Sequence, residues 1–142
     1  MAIKTGKEYV DSLRDGRTLY IDGALVNDVT GYPPLQGVIG TLASLYDDQH
    51  DPAYRDVLTF ASPRTGEPVS KTYLEARTSE DVRQLAGCYY LRALRTYGLM
   101  GRLTDFMFGF LVDTVVSMWM IGKTAAAESA QWIVDHCCDN DL

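Results

Sequence analysis

The residues with the clearest chemical potential lie in the segment Tyr97-Gly98-Leu99-Met100-Gly101-Arg102, between two apolar stretches with helical periodicity. Arg102 is the only cation between Arg95 and Lys123. At the start of a helix its charge opposes the helix dipole, so it needs an anionic neighbour. Spacing alone favours a structural ion pair, for example with Asp105, and leaves open a role in holding an anion or a phenolate.

Other reactive side chains give weaker signals. His136, Cys137 and Cys138 are adjacent on a predicted helix, where neighbouring side chains point about 100° apart and do not readily share one metal. His50 lies in an acidic stretch and is expected to be solvated.

Asp113 lies in an apolar helix, where a buried carboxylate needs a partner. This placement favours a structural salt bridge or a capping role for Asp113. The sequence has no phosphate-binding loop, nucleophile elbow or dinucleotide fingerprint, and we expect no metal site.

The composition is that of one globular domain. The 142 residues are 46% hydrophobic and 23% charged, with a formal net charge of -6, which suits a folded core. Basic residues do not cluster, so nucleic-acid binding is not expected. Three cysteines make no disulfide framework, and the polar N-terminus does not resemble a signal peptide. These features predict a cytoplasmic protein.

The elements that must position these residues are mainly helices. Thr5 and Glu8 fit a capping box at the start of a first helix. Asp22-Gly23 between residues 18–21 and 24–26 predicts a β-hairpin, and residues 57–61 and 69–74 predict a second one. Further helices are expected over residues 35–46, from Pro52 with Asp51 as its N-cap, and from Thr78 or Ser79 to the glycines 98 and 101. The fold is therefore expected to be mainly α with two small β-hairpins.

Two apolar helices close the chain, over residues 104–122 and 124–138. The apolar segment 106–121 contains Asp113 and is shorter than the roughly 20 residues of a membrane span, so it is expected to be a helix buried in protein. Such apolar helices need more covering than 142 residues easily provide, which suggests a partner subunit or further chain.

The order and spacing of several short motifs resemble the N-terminal region of the 4-hydroxyphenylacetate 3-hydroxylase family over essentially the whole chain. The resemblance is carried by residues 5–17, 20–23, 26–30, 32–33, 45–47, 58–60, 97–102 with Asp105, and 138–142. No single motif is specific. Members are oxygenase components of two-component aromatic monooxygenases.

The resemblance implies the helical N-terminal domain of an acyl-CoA-dehydrogenase-like fold over residues 1–142, without the middle β-barrel and the C-terminal helical bundle of the family. Members are usually tetramers. A separate flavin reductase supplies reduced FAD, which is held mainly outside this region. The oxygenase uses dioxygen to hydroxylate a phenol next to its hydroxyl group. By this resemblance the isolated chain should not turn over, and the domain should wall one side of the substrate pocket.

The resemblance also implies residue roles. The arginine of the family's Gly-Arg motif, which contacts the phenolic oxygen, corresponds to Arg102. The family's tyrosine four residues later is replaced by Phe106, and Tyr97 and Met100 are further candidates to line the pocket. A substrate-binding histidine of the family would follow Leu142. The family also has a dehydratase branch that binds an iron-sulfur cluster, and two of its cluster cysteines fall near the positions of Tyr97 and Gly101. This chain has no cysteine between Cys88 and Cys137, which argues against that branch.

An alternative of a different class is a non-catalytic helical interaction module derived from the same family. It would use the apolar helix at residues 106–121 as a dimerisation face. A stable oligomer of the isolated chain would favour this alternative.

Overall fold

The computed structural model describes residues 3–98 and 104–142, with the backbone alone at 104–106. Along these residues the helices are α1 (Gly6–Ser12), α2 (Pro33–Asp48), α3 (Arg55–Leu58), α4 (Ser79–Arg95), α5 (Thr104–Met120) and α6 (Thr124–Asn140). The strands are β1 (Leu19–Ile21), β2 (Ala24–Val26), β3 (Thr59–Ala61) and β4 (Pro68–Ser70), and short 3₁₀ turns cover Val29–Gly31 and Lys71–Tyr73. The expectation of a mainly helical fold with two small hairpins is confirmed.

Helix α1 begins at the predicted capping box and docks closely on α2. The Thr5 hydroxyl accepts a hydrogen bond from the Glu8 backbone N–H at 3.2 Å, and the Glu8 carboxylate accepts one from the Thr5 N–H at 2.7 Å. The backbone N–H of Gly6 donates to Asp47 Oδ1 of α2 at 2.7 Å. The rings of Tyr9 and Tyr46 stack beside this contact, 4.8 Å apart.

The first hairpin forms as predicted. Leu19 pairs with Val26 and Ile21 with Ala24, around Asp22 and Gly23. Both turn residues have positive φ, 51° and 78°, which is the conformation that an Asp-Gly turn of this kind requires.

The second hairpin is shorter than predicted, with residues 57–58 and 71–74 outside its strands. Asp51 causes part of the difference, because its side chain accepts from the Ala53 N–H and its carbonyl accepts from the Arg55 N–H at 2.8 Å. These bonds lead into the helical turn α3, which ends in Leu58, only 2% exposed. The prediction that a helix begins at Pro52 with Asp51 as its N-cap is therefore wrong in its start, because the helix begins at Arg55 and its N-cap is Tyr54.

The last two helices, α5 and α6, form a helical hairpin that packs on the 3₁₀ turn at Lys71–Tyr73. Helix α6 extends two residues past its predicted end at 138. Its alanines Ala127 and Ala130 are buried, which lets the helices approach closely. The core here is formed by five buried residues, Tyr73, Phe108, Val115, Ala130 and Val134. None of the helices in the described ranges is long and apolar enough to cross a lipid bilayer.

Large apolar side chains of α5 and α6 remain exposed. Phe110, Trp119 and Met120 of α5 are between 50% and 82% exposed, and Trp132 of α6 is 66% exposed. Exposed apolar surface of this extent is typical of a contact with another protein or with further chain. The expectation that the helix over residues 106–121 is buried in protein is therefore met only in part within this domain, at residues such as Phe108 and Val115.

Candidate functional site

The predicted site residues lie at or beyond the end of α4. Arg102 and Met100 lie outside the described residues, as does the side chain of Phe106, whose backbone is in the first turn of α5. Tyr97 is described, and its side chain is 90% exposed. Its pocket-lining role, like those of Arg102, Met100 and Phe106, stays a prediction.

Helix α4 ends in an unusual backbone conformation just before this segment. The N–H of Gly98 donates to the carbonyl of Ala93 at 2.8 Å, in the manner of a Schellman cap. Gly98 has φ of 71°, and Tyr97 before it has φ of 52°. A bulky residue with positive φ is an outlier, and such strain is concentrated at functional sites. Helix α4 thus ends at Arg95, three residues before the predicted end at Gly98, and Gly101 is outside the described residues.

An ion pair fixes the last turn of α4 on α2. Arg95 Nε lies 2.8 Å from Asp48 Oδ2, and Arg95 Nη2 lies 2.9 Å from Asp48 Oδ1. Asp48 is only 6% exposed, while the guanidinium also lies over the Tyr54 ring, 5.4 Å from its centroid. Two parallel hydrogen bonds set the direction of the pair as well as its distance. The ion pair thus holds the end of α4, the helix that precedes the Gly-Arg segment, against α2.

The hairpin of α5 and α6 brings a second part of the chain to the same end of the fold. Because the two helices are antiparallel, the start of α5 lies near the end of α6. Tyr73 links them, since its ring meets Phe108 edge-on with centroids 4.9 Å apart and its hydroxyl donates to the Leu142 carbonyl at 2.5 Å. Tyr73 is 5% exposed, and burial raises the pKa of its phenol, which keeps it a donor.

The residue after α6 is a buried carboxylate. Asp141 is 5% exposed and has φ of 47°. Its Oδ2 accepts from the Lys4 backbone N–H at 2.9 Å, and the Lys4 ammonium donates to the Asp141 carbonyl at 3.0 Å. Burial raises the pKa of Asp141, and the contacts with Lys4 oppose that rise.

Replacing Asp141 by asparagine is expected to raise the melting temperature at pH 7. Because its folded pKa is above the ordinary value of 3.8, protonation stabilises the fold as pH falls through the folded pKa, and the ionised group costs stability above it. Asparagine keeps an oxygen for the Lys4 N–H and tolerates the left-handed backbone. Thermal melts of both proteins at pH 7 and at pH 3 measure the difference, which should shrink at pH 3.

Asp139→Asn is the control for this prediction, because Asp139 pairs with Arg64 at the surface and its removal should not raise the melting temperature. A lower melting temperature for Asp141→Asn at pH 7 would show that the ionised contact with Lys4 outweighs the cost of burial.

A cavity of about 360 Å³ lies beside Asp141, between α1, α2, α4 and the end of α6. Its apolar wall is aromatic and aliphatic, and burial raises the pKa of Tyr46 in this wall to about 12. Its polar lining includes Arg92, which donates to Ser70 Oγ at 2.9 Å. The residues that line it are Tyr9, Leu42, Leu45, Tyr46, Gln49, Ser70, Thr72, Tyr73, Arg92, Asp141 and Leu142.

The weaker candidates show no chemistry of their own. Burial raises the pKa of Cys138 to about 11, so its thiol is a poor nucleophile at neutral pH. His50 is exposed, and its Nε2 lies 3.1 Å from the Lys4 carbonyl. Asp113 is exposed rather than buried, so the reasoning that a buried carboxylate there needs a partner does not apply. Among the described residues, no three His, Cys, Asp or Glu side chains are grouped to hold a metal.

Sequence reasoning missed Asp48, Tyr73, Arg92 and Asp141. The contacts of these residues are with partners that are distant in the chain. Arg92 and Ser70 are 22 residues apart, and Lys4 and Asp141 are 137 residues apart. One signal in the sequence could have indicated them. Asp48 and Arg92 are charged residues in or next to stretches of apolar helical periodicity, where a charged side chain needs a partner.

Comparison with known proteins places this architecture in one family. Residues 5–142 match the family model described as 4-hydroxyphenylacetate 3-hydroxylase N terminal. The chain is 34% identical over 140 residues to a 4-hydroxyphenylacetate 3-monooxygenase oxygenase component of Thermus thermophilus, covering 98% of this chain and 28% of that protein. It is 39% identical over 108 residues to a Streptomyces globisporus monooxygenase that acts on a carrier-bound (3S)-3-amino-3-(3-chloro-4-hydroxyphenyl)propanoyl group, covering 75% of this chain and 20% of that protein.

Comparison with solved structures leads to the same family. The crystal structure of an oxygenase component of 4-hydroxyphenylacetate 3-monooxygenase complexed with FAD and 4-hydroxyphenylacetate superposes with a TM-score of 0.87 at 33% identity, over 98% of this chain and 29% of that one. A 4-hydroxybutyryl-CoA dehydratase from N. maritimus has a TM-score of 0.82 at 19% identity, which shows the shared fold alone. The chain spans less than a third of the length of these relatives. It belongs to the 4-hydroxyphenylacetate 3-hydroxylase family, of which it forms the N-terminal domain.

Proposed function

We propose that the chain is the N-terminal part of a reduced-FAD-dependent monooxygenase that hydroxylates a phenol next to its hydroxyl group. The observation that carries the proposal is the family match over residues 5–142, which includes the Gly101-Arg102 motif. The similarity to a structure complexed with FAD and 4-hydroxyphenylacetate gives further support.

In this proposal Arg102 lies against the phenolic oxygen of the substrate. A fixed guanidinium stabilises the phenolate over the phenol, because a nearby positive charge favours the charged form. The phenolate is the more nucleophilic form, and a preorganised cation aids the step in which it reacts. Tyr97, Met100 and Phe106 would line the same pocket. Phe106 would supply a ring without a hydroxyl donor.

The elements on either side of residues 99–103 are anchored in the fold. The Asp48–Arg95 pair holds the last turn of α4, and Tyr73 holds Phe108 near the start of α5. Precise placement of a charged group matters for catalysis, because small displacements weaken transition-state contacts strongly.

The described residues do not fit a complete FAD site. Three cavities lined by residues at the end of α6 have volumes of about 360, 480 and 370 Å³, which suit a single ring system better than a dinucleotide. The flavin would be held mainly by parts of a longer protein outside this domain. When bound and reduced, it would supply the activation of dioxygen.

The exposed apolar residues of α5 and α6 fit a domain of a larger assembly. The rest of a longer chain, or other subunits of a tetramer, would cover Phe110, Trp119 and Trp132. A flavin reductase would deliver the reduced cofactor, and the cytoplasm is the compartment where we place the protein.

The proposal is tested with the longer protein that contains this domain. Purified protein is mixed with chemically reduced FAD, dioxygen and a panel of 4-substituted phenols. We expect a product heavier by one oxygen atom, with the new hydroxyl next to the first, identified by mass spectrometry and NMR. Oxidation of the reduced flavin without any hydroxylated product across the panel would contradict the proposal.

The same exposed apolar residues support the second candidate, a non-catalytic interaction module. Size-exclusion chromatography with light scattering distinguishes the two. A stable dimer of the 142-residue chain, dissociated by Val116→Ser and Met120→Ser together, would favour the module, because both side chains are exposed on the same side of α5. A monomer would favour a domain that is completed by further chain.

A further inference from the structure

Tyr97 occupies a position at the end of α4 that suits glycine. The Tyr97 N–H donates to the Leu94 carbonyl at 3.4 Å. The Gly98 N–H donates to the Ala93 carbonyl at 2.8 Å. This pair of bonds is a Schellman motif, in which the residue after the helix cap has a left-handed backbone. That residue is Tyr97, with φ of 52°. Glycine is the usual residue there, because a Cβ makes this conformation costly.

The strained backbone cannot relax by loosening the end of α4, because the residues before it are fixed. Arg95 is held by its two hydrogen bonds to the buried Asp48. Thr96 is 4% exposed, and its hydroxyl donates to the Arg92 carbonyl at 2.9 Å. A strained conformation persists where the surrounding structure determines it. The cost at position 97 is therefore part of the folded state.

The side chain of Tyr97 makes no contact within the described part of the chain that offsets this cost. It is 90% exposed, compared with 67% for Tyr90, which has the ordinary helical backbone of α4. Among the described residues, the Tyr97 ring has no aromatic contact and its hydroxyl has no hydrogen bond. A strained residue whose ring is exposed indicates a function for the ring outside the packing of this domain.

We propose that Tyr97 sets the affinity of the proposed hydroxylation site for its substrate, with its ring packed against the ring of the bound phenol. This inference rests on the proposed function. Tyr97 precedes Arg102 in the same short link between α4 and α5. Arg102 is proposed to hold the phenolic oxygen, and an aromatic neighbour supplies the apolar contact that a guanidinium does not. The chain thus loses stability at position 97 and gains affinity for the substrate.

Thermal melts of the 142-residue chain test the strain at position 97. Tyr97→Gly should raise the melting temperature by about 3 °C, because glycine adopts the left-handed backbone without strain. Tyr90→Gly is the matched control, since it removes a tyrosine from the helical part of α4 and should lower the melting temperature. An unchanged or lower melting temperature for Tyr97→Gly would overturn the proposal.

Steady-state kinetics of the longer protein test the contact with the substrate. With reduced FAD, dioxygen and 4-hydroxyphenylacetate, Tyr97→Gly should raise KM at least tenfold and leave kcat within threefold, because it removes binding that does not change during the reaction. Tyr97→Phe keeps the ring, so its KM should stay within twofold of that of the unmodified protein. Tyr90→Gly should change neither constant.

The kinetic outcomes separate the ring from the other parts of Tyr97. A KM of Tyr97→Phe as high as that of Tyr97→Gly would assign the role to the hydroxyl and overturn the proposal. Asparagine also tolerates the left-handed backbone. A fall in kcat with unchanged KM in both Tyr97→Gly and Tyr97→Asn would assign the role to the backbone, with the same consequence.

Failure of this contact is distinguishable from failure of the proposed function. Hydroxylated product from the unmodified protein, together with an unchanged KM in Tyr97→Gly, would contradict the contact alone. The Tyr97 ring would then lie against another part of the longer protein. Absence of hydroxylated product from the unmodified protein would contradict the proposed function and, with it, the contact between Tyr97 and the phenol.

Discussion

Replacing Arg102 by alanine in the longer protein should lower kcat/KM for phenol hydroxylation about 100-fold. Removing one preorganised group that stabilises developing or fixed negative charge typically costs 10²- to 10³-fold, and Arg102 is the cation proposed to hold the phenolate. Steady-state measurement with reduced FAD, dioxygen and a saturating series of phenol concentrations gives kcat and KM separately.

The pH dependence gives this prediction a specific signature. Without the guanidinium, the bound phenol keeps a higher pKa and ionises only at more alkaline pH. The deficit of Arg102→Ala should therefore be larger at pH 6 than at pH 9, and added guanidinium ion should restore part of the rate.

Arg83→Ala is the matched control for Arg102→Ala. Arg83 is an exposed arginine of α4 that pairs with Glu80, so its loss should leave turnover unchanged. If Arg102→Ala also turned over normally, Arg102 would be a structural ion-pair residue, which is the role that spacing alone favours.

Gly6→Ala should destabilise the chain by about 3 kcal/mol, near the upper end of the usual cost of overpacking. A Cβ at position 6 would lie 2.4 Å from the Ala43 carbonyl oxygen and 2.6 Å from Asp47 Oδ2. The first contact is with backbone, so α1 would have to move away from α2. That movement would also break the 2.7 Å hydrogen bond from Gly6 N–H to Asp47. Urea denaturation followed by circular dichroism measures the loss.

Gly40→Ala is the control for position 6, because Gly40 is a helical glycine of α2 whose Cβ would meet nothing within 4 Å. Alanine is a better helix former than glycine, so this variant should gain roughly 0.5–1 kcal/mol. Equal stability of Gly6→Ala and the unmodified chain would contradict the close docking of α1 on α2.

The sequence determined the features that depend on neighbouring residues. Asp22-Gly23 predicts its turn because few other residues adopt positive φ at both positions. Thr5 with Glu8, and Thr78, predict helix starts because their side chains bond to backbone groups three residues away. The family also follows from the sequence, since it rests on the order of short motifs.

The second hairpin shows where local reasoning failed. Residues 57–58 and 71–74 include apolar and β-branched residues typical of strands, yet the side chain and carbonyl of Asp51 favour a helical turn at α3. Propensity for strands is weak and depends on context. A few hydrogen bonds and the burial of Leu58 were enough to change the outcome.

Only the tertiary structure decided which charged groups meet and which apolar faces stay uncovered. Asp48 meets Arg95, and Lys4 meets Asp141, across 47 and 137 residues of chain, so no local pattern reveals either contact. Helix α5 is apolar around most of its circumference, and its periodicity does not say which side packs on α6 and Tyr73. Chain-distant contacts depend on how whole elements pack against each other, because burial and ion pairing are properties of the three-dimensional neighbourhood.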